Sequence, residues 1–249
     1  MNSLTLIRES IPGPLDVAIS HSILSAVSDG DLGPTLRLHV PGAIVAFGRA
    51  DRVTTGYRAA VRAARAHGFE AVERLAGGRA AVFHEHTLAF SLALPLAEPK
   101  SGINERFESV ATLMASAFES LGVDARVGEL PGEYCPGQWS VNVGGRVKVM
   151  GVGQRLVRRA AHIGGVVVVD EGHRVRDVLI PVYRALGLDW DPRTAGSLAD
   201  RSPGITTALV SKAIEKGFSD RYALVEGSLP ARIVERADDL VAEHLPEVA

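Results

Sequence analysis

Apolar residues change their spacing several times along the chain, and each change marks an element. From Leu15 to Val27, the residues Leu15, Ile19, Ile23, Leu24 and Val27 recur at the three- and four-residue spacing of one helix face, with polar Asp16, Ser20, His21 and Ser25 beside them. Asp29-Gly30 ends that helix. Thr35 to Val40 alternates as Thr-Leu-Arg-Leu-His-Val, and with Ala43 to Gly48 across Pro41-Gly42 it predicts a hairpin. Tyr57 to His67 reads as an amphipathic helix with Arg58, Arg62 and Arg65 on one side and Gly68 as its C-cap. A short strand at Phe69 to Glu73 follows. In Thr87 to Pro95, Leu88, Phe90, Leu92 and Leu94 alternate with small Ala89, Ser91 and Ala93, which predicts a strongly buried strand. Asn104 to Leu121 is the longest predicted helix.

The pattern then returns to strands at Ala125 to Glu129, Trp139 to Val143, Arg146 to Gly151, Gln154 to Val157 and Ile163 to Asp170. Tight turns such as Val143-Gly-Gly-Arg146 link them. Three helices are predicted after that, at Arg174 to Leu186, Gly204 to Gly217 and Pro230 to His244. Strand hairpins interrupted by helices, without strict alternation, predict an α+β fold with a mixed, largely antiparallel sheet packed with helices. Asp189 to Pro203, rich in Asp, Pro and Gly, divides the chain into a core at 1–188 and a C-terminal helical segment at 189–249 packed on it.

Composition narrows the picture. The 249 residues are 46% hydrophobic and 22% charged, with a net charge of −2. A chain of this size buries roughly 70 to 75% of its unfolded surface, so disorder is excluded as the main state. A single Cys, Cys135, excludes an internal disulfide framework and any all-cysteine metal cage, and predicts a cytoplasmic protein. Met1 to Pro14 has no apolar run of the kind a signal peptide carries. The longest apolar run, near Val166 to Val169, is far short of the roughly 20 residues a membrane span needs. Near-neutral, interspersed charge argues against nucleic acid as the main ligand.

Of the 27 basic residues only four are Lys: Lys100, Lys148, Lys212 and Lys216. Lys148 sits in Gly145-Arg-Val-Lys-Val-Met-Gly151, where it points away from the face of Val147 and Val149. It either projects to solvent or faces a site. The nearby glycines, Gly144, Gly145, Gly151 and Gly153, permit close approach of a ligand to the backbone. In Arg74-Leu-Ala-Gly77-Gly78-Arg79, consecutive glycines let backbone N–H groups converge on an anion, and the flanking arginines add charge. His84 and His86 share a strand face, but no third or fourth ligand is recognisable, so no metal site is predicted. Cys135, in the turn-rich loop Pro131-Gly-Glu-Tyr-Cys-Pro-Gly137, is either a small buried filler or a thiolate nucleophile close to a lysine.

These segments resemble, in order, the lipoate and octanoate branch of the biotin and lipoate protein ligase superfamily. The residues that carry the likeness are Leu15-Asp-Val-Ala-Ile, Leu36-Arg-Leu-His-Val-Pro with Val45-Ala-Phe-Gly-Arg49, and Glu73-Arg-Leu-Ala-Gly-Gly-Arg-Ala-Ala-Val-Phe-His-Glu85. Leu88-Ala-Phe-Ser91 and Gly145-Arg-Val-Lys-Val-Met-Gly-Val-Gly-Gln-Arg155 complete it. The resemblance spans roughly Leu15 to Asp170. It implies a fold like that of class II aminoacyl-tRNA synthetases and biotin ligases, with a C-terminal helical tail.

It also implies roles. Lys148 would contact the activated acyl group. Arg74, Gly77, Gly78, Arg79, His84, Gly151 and Gln154 would bind the acyl substrate. The leading expectation is an ATP-dependent lipoate protein ligase that uses Mg and passes through an acyl adenylate. The alternative is an octanoyltransferase that needs no cofactor, takes the acyl group from acyl carrier protein and holds it as a Cys135 thioester. The Gly-Gly-Arg form at Arg79 and the short stretch after Asp170 point to this alternative. A third expectation is a noncatalytic acyl or adenylate binder. For either enzyme the resemblance implies lipoate or octanoate as the acyl group. The acceptor would be a lysine on the lipoyl domain of a 2-oxoacid dehydrogenase E2 subunit or on the glycine cleavage H protein.

Overall fold

The strand in which large side chains alternate with small ones lies deep inside an eight-stranded sheet in the computed structural model, which describes residues 2–247. The first part of the chain forms β1 (Ser3–Ile7), α1 (Pro14–Asp29), β2 (Thr35–His39), β3 (Ile44–Phe47), α2 (Arg49–Arg52), α3 (Tyr57–Ala66) and β4 (Glu70–Glu73). After these come β5 (Ala81–Phe83), β6 (Thr87–Pro95), α4 (Ile103–Glu119), β7 (Ala125–Val127), β8 (Val141–Val143), β9 (Val147–Leu156) and β10 (Ala160–Val168). The remainder is α5 (Gly172–Leu186), α6 (Thr207–Ser219), β11 (Ala223–Glu226) and α7 (Ala231–Leu240).

The large sheet has the order β11-β1-β2-β6-β10-β9-β8-β7, and a small one has the order β4-β3-β5. From β2 to β7 every neighbour in the large sheet is antiparallel, and the two edge pairings through β1 are parallel. The fold is therefore α+β with a mixed, largely antiparallel sheet. α4 and α6 cover one face through Val110, Met114, Phe118, Val210 and Phe218, packed against Leu38, Leu92, Val149 and Ile163. α3 and α5 enclose the small sheet in a second core around Phe47, Tyr57, Leu179 and Tyr183. α1 and α7 pack together in a third. Among the described residues no helix is long and apolar enough to cross a membrane.

Two pairings differ from the sequence reading. The hairpin expected across Pro41-Gly42 does not form, because β2 pairs with β1 and β6 while β3 pairs with β4 and β5. Both strands are buried along their whole length, so each needs a neighbour on both edges and cover on both faces. The two strands expected at Arg146 to Gly151 and Gln154 to Val157 are one strand, β9, paired continuously with β10 through Gly151 and Gly153. The C-terminal segment contributes more than helices, since β11 extends the sheet beside β1. Residues 189–203 are tied to the core. Gly196 N donates to Lys148 O (3.4 Å), and Leu198 N and Ala199 N donate to Val168 O and Val169 O (3.0 and 2.9 Å).

Candidate active site

A cavity of about 250 Å³ opens where β9 and β10 meet the glycine loop after β4 and the loop that precedes β8. Arg74, Gly77, Gly78, Cys135, Lys148, Gly151 and Gln154 all line it, so seven of the nine sequence-predicted site residues converge on one space. Arg79 does not line the cavity but reaches it through its backbone. His84 does neither: it is fully buried beneath the turn into β6, where its Nδ1 accepts from His86 N (3.2 Å). Burial, with the Arg174 charge adding to it, lowers the His84 pKa to about 4. No group of three or more His, Cys, Asp or Glu side chains among the described residues is placed to hold a metal ion.

Lys148 faces the site and is 1% exposed, which settles its direction on β9; Val149 behind it lies in the core. An ammonium has three N–H bonds to give. Here Nζ donates to Glu133 Oε1 (2.8 Å), Tyr134 O (2.9 Å) and Cys135 O (2.7 Å), and it sits 4.9 Å from the centre of the Tyr134 ring. Glu133 is held in turn. Its Oε1 accepts from Ser140 Oγ (2.6 Å) and Gly137 N (3.3 Å), and its Oε2 accepts from Leu130 N (3.0 Å). The lysine thus fastens the cysteine loop to the sheet from below.

Cys135 itself adopts φ 41°, a left-handed conformation that costs a non-glycine residue about 1–3 kcal/mol and persists only when its surroundings enforce it. They do so from both sides. Cys135 N donates to the Tyr183 hydroxyl (2.8 Å), which donates onward to Ala80 O (3.1 Å), and Cys135 O is held by Lys148. The result presents Sγ to the cavity. There it accepts from Arg79 N (3.1 Å), with Arg74 Nη1 at 3.8 Å. A backbone N–H and a guanidinium thus stand beside the sulfur.

Two glycines make this approach possible. Gly78 has φ +114°, and a Cβ there would lie 3.0 Å from both Cys135 Sγ and Arg74 Nη1. A Cβ on Gly153 would meet Arg74 Nη2 at 2.9 Å and the Gly77 carbonyl at 3.0 Å, so the bare strand lets the glycine loop lie directly on the sheet. The Arg79 guanidinium anchors the loop's far side, donating to Ala50 O (2.9 Å) and Asp51 Oδ1 (3.3 Å). Gln154 is braced by Arg106, whose Nε donates to its Oε1 (2.8 Å).

Glu133, Tyr134, Tyr183 and Asp51 are site residues that the sequence reading did not single out. For Glu133 a signal existed, since it shares the turn-rich loop with Cys135. For Tyr183, inside an ordinary amphipathic helix, there was none.

Comparison with known proteins places the chain among relatives. The sequence model described as the lipoyl protein ligase A/B catalytic domain matches residues 14–218. The octanoyl-[GcvH]:protein N-octanoyltransferase of Geobacillus kaustophilus is 29% identical over 209 residues, 82% of this chain and 73% of the relative. A protein of the same name from an Exiguobacterium species is 32% identical over 185 residues, 70% of this chain and 65% of the relative. Among solved structures, lipoate-protein ligase A bound with ATP superposes with a TM-score of 0.78 at 18% identity, covering 98% of this chain and 95% of that one. That last likeness is one of fold.

Proposed function

The chain belongs to the lipoyl protein ligase A/B catalytic domain family, and within it we propose an acyltransferase that moves an octanoyl or lipoyl group to a lysine of an acceptor protein through a Cys135 thioester. The observation that carries this reading is the restraint of Cys135: both of its peptide groups are pinned, and its sulfur is turned toward Arg79 N and Arg74 in the cavity. A filler thiol needs none of this. The names of the relatives support the same reading, because they specify transfer from octanoyl-[GcvH] to protein. We take an octanoyl-loaded GcvH-type carrier as the donor and a lipoyl domain as the acceptor.

The reaction has two halves. Sγ attacks the acyl carbonyl of the donor, the bond from that carbon to the donor atom breaks, and the thiol proton leaves with the departing group. The acceptor's lysine amine then attacks the thioester carbonyl. The new C–N bond forms, the C–S bond breaks, and a proton from the amine returns to sulfur. Arg79 N and Arg74 stabilise the thiolate in both halves, and Lys148 acts as a positioning residue through Glu133 and the loop carbonyls.

The ATP-dependent ligase expected first from the sequence is the weaker reading, because the relatives named above are octanoyltransferases. In this structure the three N–H bonds of Lys148 go to Glu133, Tyr134 and Cys135, which favours a positioning role over contact with an adenylate.

The test uses octanoyl-loaded GcvH, a free lipoyl domain and intact-mass readout, with wild-type enzyme and Cys135→Ser. Transfer without ATP, abolished by Cys135→Ser, is expected. Acylation from free octanoate and Mg-ATP that survives Cys135→Ser contradicts the reading in favour of a ligase. Modification of no carrier under either condition leaves a noncatalytic binder.

A further inference from the structure

Beneath α4 and the end of α6, against β6, lies a second space of about 290 Å³ that shares no lining residue with the catalytic cavity. Its floor is aliphatic. Leu92, Leu94 and Leu96 take alternate positions along and just past β6 and all line it, over a span of about 13 Å. Val110 and Leu113 of α4 and Phe218 of α6 close it from the helix side.

The rim is cationic. Arg106 and Arg221 both line the space, and every hydrogen-bond partner of either guanidinium is a neutral oxygen. Arg106 donates to Gln154 Oε1 (2.8 Å), Ser101 O (2.6 Å) and Pro99 O (2.6 Å). Arg221 Nη1 donates to Ser109 Oγ (2.8 Å) and Ser109 O (3.1 Å). A guanidinium has five N–H bonds, so each arginine keeps donors to spare. Ser109 follows Arg106 by one turn of α4, so its grip on Arg221 brings the two cations to adjacent turns of one helix face. Glu105 is the one acidic side chain lining this space, which leaves the rim with a net positive charge. Guanidinium forks match a carboxylate, and an elongated aliphatic floor matches a hydrocarbon chain.

We propose that this space is a second binding site, for an aliphatic carboxylic acid of medium chain length, with its chain along Leu92, Leu94 and Leu96 and its carboxylate between Arg106 and Arg221. Nothing in that site depends on Cys135 or on acyl transfer.

Photolabelling of the full chain with a decanoic acid that carries a diazirine midway along its chain, followed by peptide mass mapping, separates this site from the catalytic cavity. Label on the peptides that hold Leu92 to Leu96, Val110 to Leu113 or Phe218 is expected. Label confined to peptides lining the catalytic cavity, or no label, overturns the proposal. Charge-assisted hydrogen bonds to the carboxylate predict that decanoate competes for this label at least tenfold better than 1-decanol, and equal competition overturns the proposal too. Arg221→Met should weaken labelling of this face at least tenfold, and Leu94→Trp, which fills the floor, should abolish it, each variant being checked for folding by circular dichroism. Labelling of this face that survives either substitution in a folded protein contradicts the assignment.

Discussion

Replacing Lys148 with Met tests whether this lysine holds the cysteine loop or acts on the substrate. In the variant, the Glu133 carboxylate stays buried without its counter-charge, retaining only Ser140 Oγ, Gly137 N and Leu130 N. Breaking a buried ion pair by removing one partner costs about 3–5 kcal/mol. The carbonyls of Tyr134 and Cys135 lose their donor as well, at about 1 kcal/mol each where no water replaces it. The three remaining donors to Glu133 offset part of this, which leaves roughly 4 kcal/mol. A chain of this size loses about 2–4 °C of Tm per kcal/mol, so scanning calorimetry should show a fall of roughly 8–16 °C. Glu133→Gln in the same chain removes the stranded charge and should recover at least half of it. Acylation of Cys135 should fall in the single and the double variant alike, because neither restores the hold on the Cys135 carbonyl. A single variant that melts within about 3 °C of wild type yet loses transfer would refute this reasoning and assign the ammonium to the substrate.

Gly78→Ala forces a Cβ into left-handed backbone and to within 3.0 Å of Cys135 Sγ. The rate of acyl-enzyme formation should drop at least tenfold, with about 1 kcal/mol or more lost in denaturant titration. Tyr183→Phe strands Cys135 N and the Ala80 carbonyl. Urea unfolding should show a loss of about 1–3 kcal/mol, accompanied by slower acylation. Burial, with lesser contributions from the Arg74 and His21 charges, lowers the His162 pKa to about 4. Between pH 6.5 and 4 the unfolded chain therefore takes a proton that the folded chain refuses, and stability falls as pH falls, by about 1.4 kcal/mol per pH unit from this group. Stability measured across that window should decline less steeply in His162→Leu than in wild type.

Elements that bury one face against one core are legible in spacing alone. α1, α4 and β6 each carry a periodic apolar set, and each forms close to where that set predicts it. Pairing is less legible, because a turn such as Pro41-Gly42 sets the direction of the chain without choosing the next strand's neighbour. β1 and β11 are each stabilised by a partner more than 200 residues away, so neither is visible in its own few residues. At the site, Lys148 and Cys135 stand out because the chain uses Arg almost everywhere and has one thiol. The residues that hold them do not. Glu133 is 15 positions from Lys148 and Tyr183 is 48 from Cys135, distances that only folding removes. His84 shows the converse: it sits in the family segment, yet β5 ends at Phe83 and the chain turns it beneath β6 rather than toward the cavity.

The most direct test of the account is to mix the enzyme with octanoyl-loaded GcvH, in the absence of any acceptor and of ATP, and to map the acyl group by peptide mass spectrometry. The account predicts a hydroxylamine-labile octanoyl adduct on Cys135 that is discharged when a lipoyl domain is added. An acyl adduct elsewhere, or transfer to the lipoyl domain at an undiminished rate by Cys135→Ser, would contradict it.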